Sequence, residues 1–196
     1  MTKAVEFYFD VGSPAAYLAW TQLPKLAQEM HAEIEYRPFL LGGVFQATGN
    51  RSPMEVPAKG QYMQDDLARY ARRYGVEFRH NPYFPINTLT LMRGAIGLQM
   101  REPARMQAYV DAVYRAIWVD AKNMNDPATV AEVLKQAGFD AEKLMALASD
   151  PAVKDQLKVQ TQDAVSRGVF GAPTFFVNNQ MFWGQDRLDF IKEALQ

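Results

Sequence analysis

The sequence contains no cysteine. Disulfides, thiolate nucleophiles and zinc–cysteine sites are thereby excluded, so redox or metal chemistry would have to be borrowed from a cofactor. Histidine is nearly as scarce: only His31 and His80 occur, far apart and without metal-ligand spacing, and each reads as a surface or capping residue. An excess of either charge is missing as well. Lys and Arg number 21 against 22 Asp and Glu, a net charge of −1, which argues against a nucleic-acid footprint and against a basic membrane-binding face. No apolar run approaches the ~20 residues needed to span a bilayer. Met1-Thr2-Lys3-Ala4-Val5-Glu6 leads into a strand pattern without a signal-like apolar segment. The expectation is a cytoplasmic protein that engages neither membrane nor nucleic acid.

What is present is ordinary globular material: 196 residues, 48% hydrophobic and 22% charged, enough for one compact unit or a domain with an insertion. The informative stretch is Phe7-Tyr8-Phe9-Asp10-Val11-Gly12-Ser13-Pro14-Ala15-Ala16-Tyr17. Apolar residues at 5, 7 and 9 alternate with Glu6, Tyr8 and Asp10, the period of a half-buried strand. Gly12 breaks the pattern, and Ser13-Pro14 has the form of an N-cap followed by proline at the first helical position. Ala16, Trp20, Leu23, Ala27 and Met30 then recur at helical spacing, with Pro24 inside the helix as a source of a kink. A strand therefore runs straight into a helix and leaves a hydroxyl at the helix N-terminus, where free N–H groups and the dipole favour an anion such as a thiolate.

Ile34, Tyr36 and Pro38-Phe39, opposed by Glu33, Glu35 and Arg37, predict a second strand and complete a βαβ unit. Gly42-Gly43, Thr48-Gly49-Asn50, Ser52-Pro53 and Pro57 read as a loop, and no Gly-Lys-Ser/Thr follows to make it a phosphate loop. From about 60 to 168 only helical stripes occur. Met63, Leu67, Tyr70, Ala71 and Tyr74 end at Gly75; Leu91, Met92, Ala95, Ile96 and Gln99 end before Pro103; Met106, Tyr109, Val110, Val113, Tyr114 and Ile117 follow. Asp126-Pro127 and Asp150-Pro151 start two more helices, stopped by Gly138 and Gly168. Strand character returns at Pro173-Thr174-Phe175-Phe176-Val177, with Asn178-Asn179 as a two-residue turn and Gln180 to Trp183 as the returning strand. Gly184 breaks it, Asp186 can cap, and Leu188, Ile191, Ala194 and Leu195 line a last helix. The chain thus reads as α/β: a discontinuous sheet domain from residues 1–40 and 169–196, with helix 151–168 packing on it and an inserted helical domain at 41–150.

An N-terminal βαβ joined to a C-terminal ββα is the thioredoxin-like layout, and Pro173 ahead of a strand resembles that fold's cis-proline. Ser13-Pro14-Ala15-Ala16 stands where the DsbA-like oxidoreductases carry Cys-x-x-Cys. The serine version closely resembles the kappa-class glutathione transferases and the bacterial 2-hydroxychromene-2-carboxylate isomerases. The likeness rests on Phe7 to Pro14, on Lys59-Gly60-Gln61-Tyr62-Met63 with Asp66-Leu67, on Val169-Phe170-Gly171-Ala172-Pro173-Thr174, and on Trp183-Gly184-Gln185-Asp186-Arg187.

The resemblance implies glutathione as cofactor and Ser13 as the catalytic serine, donating a hydrogen bond to the sulfur. It implies that Asn50 and Lys59 contact the tripeptide and that backbone at Ala172, before Pro173, pairs with the cysteinyl backbone. Gln185 and Asp186 would hold the γ-glutamyl end at the start of the last helix, and Trp183 and Gly184 would belong to the same glutathione-binding set. It also implies a homodimer and a small aromatic substrate. Where this family can present basic residues to a substrate carboxylate, the sequence has Pro85-Ile86-Asn87-Thr88, with Arg93 further along, which leaves Asn87 as the candidate donor. Tyr83, Phe84, Trp118 and Trp183 read as core rather than as a substrate cage. Three functions stay open at this point: a glutathione-dependent isomerase, a kappa-type transferase or peroxidase, and a thioredoxin-fold binding protein without catalysis.

Overall fold

The computed structural model describes residues 3–196. In chain order it contains β1 (Lys3–Phe9), α1 (Pro14–Met30), β2 (Ala32–Pro38), α2 (Leu41–Thr48), α3 (Pro57–Tyr74), α4 (Leu89–Arg101), α5 (Pro103–Trp118), α6 (Pro127–Gln136), α7 (Ala141–Ser149), α8 (Pro151–Ser166), β3 (Thr174–Val177), β4 (Gln180–Trp183) and α9 (Leu188–Ala194). Short 3-10 turns occupy Pro53–Glu55 and Gln185–Arg187. The four strands form one sheet in the order β2-β1-β3-β4. β1 and β2 run parallel, in register from Lys3 with Ala32 to Phe9 with Pro38. β3 is antiparallel to both β1 and β4. The β3–β4 hairpin turns on Asn178 and Asn179, at φ 50° and 63°, the paired left-handed backbone that a tight hairpin needs and that asparagine tolerates.

Local chemistry sets the helix ends where the sequence suggested. Ser13, Asp126, Asp140 and Asp150 each accept a first-turn amide, and a proline follows three of them. Asp140 is the exception, because it starts α7, a helix between Gly138 and Asp150 that no sequence pattern above predicted. The breaker-rich stretch from Gly42 to Pro57 is not the loop expected: α2 occupies its first part and α3 begins at Pro57. Tertiary packing overrides the low helix propensity of Gly42-Gly43 here. The Leu40 N–H donates to Thr161 Oγ1 at 3.0 Å, and a Cβ on Gly43 would lie 3.0 Å from Thr161 Cγ2. Gly43 thus admits a close approach of α2 to α8, while Gly42 faces open space.

The largest core cluster joins sheet and helices in one body. Phe7, Phe9, Trp20 and Leu23 share it with Met92, Ile96, Tyr114 and Trp118. A smaller cluster on the other sheet face holds Tyr8, Phe39, Val44, Ala164, Val169 and Phe176 under α2 and α8. β1 is therefore buried on both faces through its second half, not half-buried as its alternation predicted. The polar positions of that alternation are satisfied internally. Arg167 bonds both carboxylate oxygens of Glu6, at 2.6 and 2.8 Å, and donates to Tyr8 Oη at 2.7 Å. Tyr8 Oη in turn donates to Asp163 at 2.7 Å, and burial and that carboxylate push its phenol up to about 12.

The Arg167 hydrogen bonds hold the Glu6 carboxyl below its ordinary 4.5. For an acid whose folded value is depressed, the stabilisation is present above the unfolded value and lost as pH falls through the folded one. Arg167→Ala should lower the melting temperature at pH 7 by several degrees, at about 2–4 °C per kcal/mol for a chain of this size and about 1–3 kcal/mol for a charged hydrogen bond. The difference between variant and native should shrink as pH falls below 4.5. Thermal melts across that range check both statements.

Candidate active site

Ser13 stands at the junction of β1 and α1 and is 5% exposed. Its extended backbone (φ −94°, ψ 116°) suits an N-cap, and its Oγ accepts from the Ala16 N–H at 3.1 Å. The hydroxyl hydrogen is directed elsewhere: Oγ donates to the Ala172 carbonyl at 2.8 Å. The Ala172–Pro173 peptide is cis. A residue of the N-terminal βαβ is thus joined by one hydrogen bond to the backbone entering β3. In the first turn of α1, Ala16 N–H goes to Ser13 Oγ, Tyr17 N–H goes to the Ser13 carbonyl, and Pro14 has none. That leaves the Ala15 N–H without a protein acceptor among the described residues, at the positive end of the helix.

Other candidates gather around this pair to different degrees. Asn50 is exposed, and its Nδ2 donates to the Phe170 carbonyl at 2.7 Å, two residues before Ala172. Trp183 lies against the same segment, its ring tilted 49° to that of Phe170. Its ring centroid is 5.1 Å from that of Phe170, and a Cβ on Gly171 would sit 2.5 Å from its Nε1. Trp183 is 49% exposed, and Tyr83 is half exposed too, which corrects their expected place in the core. Trp183 belongs to edge strand β4, whose residues are exposed or half-buried. Trp118 is core, fully buried, with Phe84 against it at 6.0 Å.

The Gly184 N–H donates to the Pro173 carbonyl at 3.0 Å, and its backbone at φ 106° is one that glycine adopts without strain. Gln185 is buried, and its carbonyl accepts from Tyr74 Oη at 2.6 Å. Asp186 does not cap α9 as expected. Its carboxylate pairs with Arg187 at 2.7 Å and lines a groove of about 230 Å³ with Gln22, Lys25, Tyr70 and Tyr74. Lys59, in the first turn of α3, is exposed. Asn87 is exposed at the start of α4, where its Oδ1 accepts from the Leu89 N–H at 3.2 Å, leaving the side-chain amide hydrogens to donate. Its neighbour Thr88 touches the β1–α1 turn: a Cβ on Gly12 would lie 2.8 Å from Thr88 Cγ2.

Sequence reasoning passed over Asp10. It counted as a polar strand position, yet it is 1% exposed and accepts hydrogen bonds from Gly12 N, Leu41 N and Thr88 Oγ1 at 2.9, 2.8 and 3.0 Å. Its place directly ahead of the breaker and cap was the one available sign.

A strand-to-helix turn facing a cis-proline across a mixed sheet defines a thioredoxin-type fold, and a family model described as "DSBA-like thioredoxin domain" matches residues 4–196. The chain belongs to that family, on the branch of the 2-hydroxychromene-2-carboxylate isomerases. It is 38% identical over 200 residues to the 2-hydroxychromene-2-carboxylate isomerase of Sphingobium xenophagum, covering 100% of this chain and 99% of that protein. The enzyme of the same name from Pseudomonas putida is 34% identical, covering 97% and 93%. A solved structure of a 2-hydroxychromene-2-carboxylate isomerase superposes with a TM-score of 0.85 at 32% identity, covering 98% of this chain and 94% of that one. Human glutathione S-transferase kappa 1 is 25% identical over 100% of this chain and 92% of its own length.

Gly171→Ala tests the aromatic corner. Because Trp183 is at the rim, its indole can swing outward, so stability should fall by no more than about 1 kcal/mol. The tryptophan emission should shift to the red as Trp183 becomes more solvated, while Trp20 and Trp118 stay buried. Unchanged emission would show that the indole does not rest on Gly171.

Proposed function

We propose that this protein is a glutathione-dependent isomerase interconverting 2-hydroxychromene-2-carboxylate, or a close aromatic analogue, and trans-o-hydroxybenzylidenepyruvate. The observation that carries the reading is the Ser13 hydroxyl. It is buried at a helix N-terminus and donates to the carbonyl in front of Pro173, in a chain 38% identical over its full length to an isomerase named for that substrate.

The residues fit glutathione, which brings a thiol, two carboxylates and an ammonium group. Ser13 Oγ and the Ala15 N–H suit the sulfur, and the Ala172 carbonyl suits the cysteinyl N–H. Lys59 and Asn50 suit a carboxylate, and Trp183, Gly184, Gln185 and Asp186 suit the γ-glutamyl end with its ammonium. When bound, the tripeptide supplies a thiolate able to add reversibly to a conjugated, ring-opened substrate. Ser13 Oγ keeps the bond it accepts from Ala16 and turns its one hydrogen from Ala172 to the sulfur. The Ala172 carbonyl would then be free to accept the cysteinyl N–H of a bound tripeptide, so no buried acceptor would be left bare. The serine acts as a donor, not a nucleophile, and with the thiol ionised on binding no protein base is required. Asn87 donates to the substrate carboxylate. The same reading has the protein working in the cytoplasm as a homodimer.

A second reading, a kappa-type transferase or peroxidase, is supported by the full-length similarity to the kappa enzymes. Stoichiometry separates the two, because an isomerase returns glutathione unchanged and a transferase consumes it. Calorimetry with glutathione should give binding, and assay with 2-hydroxychromene-2-carboxylate should give product with no net loss of thiol. Ser13→Ala should raise the pKa of the bound thiol and lower kcat by about 10²–10³-fold, the loss expected for one directed donor. Unchanged turnover at saturating glutathione would refute the role.

A further inference from the structure

The turn that carries Ser13 encloses a carboxylate. Asp10 Oδ1 accepts from the Gly12 N–H, and Oδ2 accepts from the Leu41 N–H and the Thr88 hydroxyl. These donors come from three separate segments: the β1–α1 turn, the start of α2 and the start of α4. Both oxygens meet only N–H and O–H groups, a pattern that an ionised carboxylate satisfies completely. Among the described residues no counter-charge acts on it. α4 presents Thr88 and Met92, whose sulfur accepts from the Val11 N–H at 3.4 Å. α5 presents Trp118, which donates to the Val11 carbonyl at 2.9 Å, and Tyr114, whose hydroxyl is 3.5 Å from the Asp10 carbonyl. α2 presents the Leu41 amide, and α1 presents Ser13, whose N–H donates to the Asp10 carbonyl at 3.0 Å. Tyr114, kept protonated by burial and by the nearby carboxylate, is the titratable side chain facing Asp10. Burial pushes Asp10 itself upward against the pull of its three hydrogen bonds.

We propose that Asp10 is a positioning residue of the thiol site: an anion fastened by three segments, it fixes the turn that aims Ser13 and raises the proton affinity of a thiolate bound there. The proposal rests on the glutathione reading above. A like charge disfavours ionisation of its neighbour. At a separation on the order of 10 Å and an effective dielectric of about 20, the repulsion moves a pKa by roughly one pH unit. Ser13 and the α1 amides pull the thiol's pKa down, and Asp10 opposes them. Since thiolate nucleophilicity falls as its pKa falls, the opposition keeps the sulfur reactive.

The test follows the ultraviolet absorbance of the bound glutathione thiolate against pH in native protein, Asp10→Asn and Thr88→Val. Asparagine removes the charge, whereas Thr88→Val keeps the charge and removes one fastening. The bound thiol should titrate about one pH unit lower in Asp10→Asn and within a few tenths of native in Thr88→Val. An unchanged or higher value in a glutathione-binding Asp10→Asn protein overturns the proposal and leaves the glutathione reading intact. Absence of glutathione binding to native protein overturns both. Should Asp10→Asn fail to fold, native protein carries the test by reciprocal coupling. Glutathione should raise the Asp10 carboxyl pKa, followed by NMR of labelled aspartate, and S-methylglutathione, whose sulfur cannot ionise, should not. Equal effects of the two ligands overturn the proposal.

Discussion

Four residues at the end of β1, Asp10 to Ser13, have to hold one conformation in the interior of the protein, where water cannot satisfy their polar atoms. An unpaired backbone group in such a place costs about 1–3 kcal/mol, so the turn is stable only if each group finds a partner. Some partners are local: Asp10 takes the Gly12 and Ser13 amides. The rest come from far along the chain. Met92 and Trp118 take the two backbone groups of Val11, and Thr88 and Leu41 close around the Asp10 carboxylate. The helices of the middle of the chain therefore do more than roof the sheet. Without α4 and α5 the turn would have unsatisfied polar atoms and no defined direction for Ser13.

The sheet's second face repeats the rule with charge. Glu6, Tyr8, Asp163 and Arg167 form a connected set in which every hydrogen bond has a charged or polarised partner. The Arg167 guanidinium also lies 3.9 Å over the Phe176 ring, so its planar face is used as well as its edges. β1 can thus be central and covered on both sides while keeping polar residues at alternate positions. A strand with that pattern in sequence is expected to face water on one side; here α2 and α8 supply the cover.

This contrast explains what was legible in the sequence. Caps, proline starts, the Asn178-Asn179 turn and the helical stripes depend on neighbours within a few residues, and those elements occur where the pattern put them. The strand–Ser13–helix junction belongs to the same class, whereas the approach of the Ala172–Pro173 segment to it is a contact across the chain that the family resemblance, not a local pattern, anticipated. What failed depended on contacts across the chain. Gly43 is helical because Thr161 packs against it, a fact absent from residues 41–48. Trp183 is exposed because β4 is an edge strand. Asp10 looks like any solvent-facing aspartate until Leu41 and Thr88 are brought to it. Asp186 is the local exception among the caps: it fits a helix cap by its position, yet Arg187 beside it takes the carboxylate.

The replacement of cysteine by serine in this fold has a definite physical direction. A thiol at a helix N-terminus is driven toward its anion and becomes a nucleophile. An alcohol in the same place stays protonated and can only donate a hydrogen bond while its oxygen accepts one. Ser13 already uses both capacities, accepting from Ala16 and donating to Ala172. The donating bond is the exchangeable one, because a rotation about one side-chain torsion redirects it while the cap stays in place. On the glutathione reading proposed above, a chain without a thiol of its own would offer this turn as a site for another molecule's sulfur. On the same proposal, the reactivity of that sulfur would be set by what surrounds it: one hydroxyl, the helix amides and, beneath the turn, the buried carboxylate of Asp10.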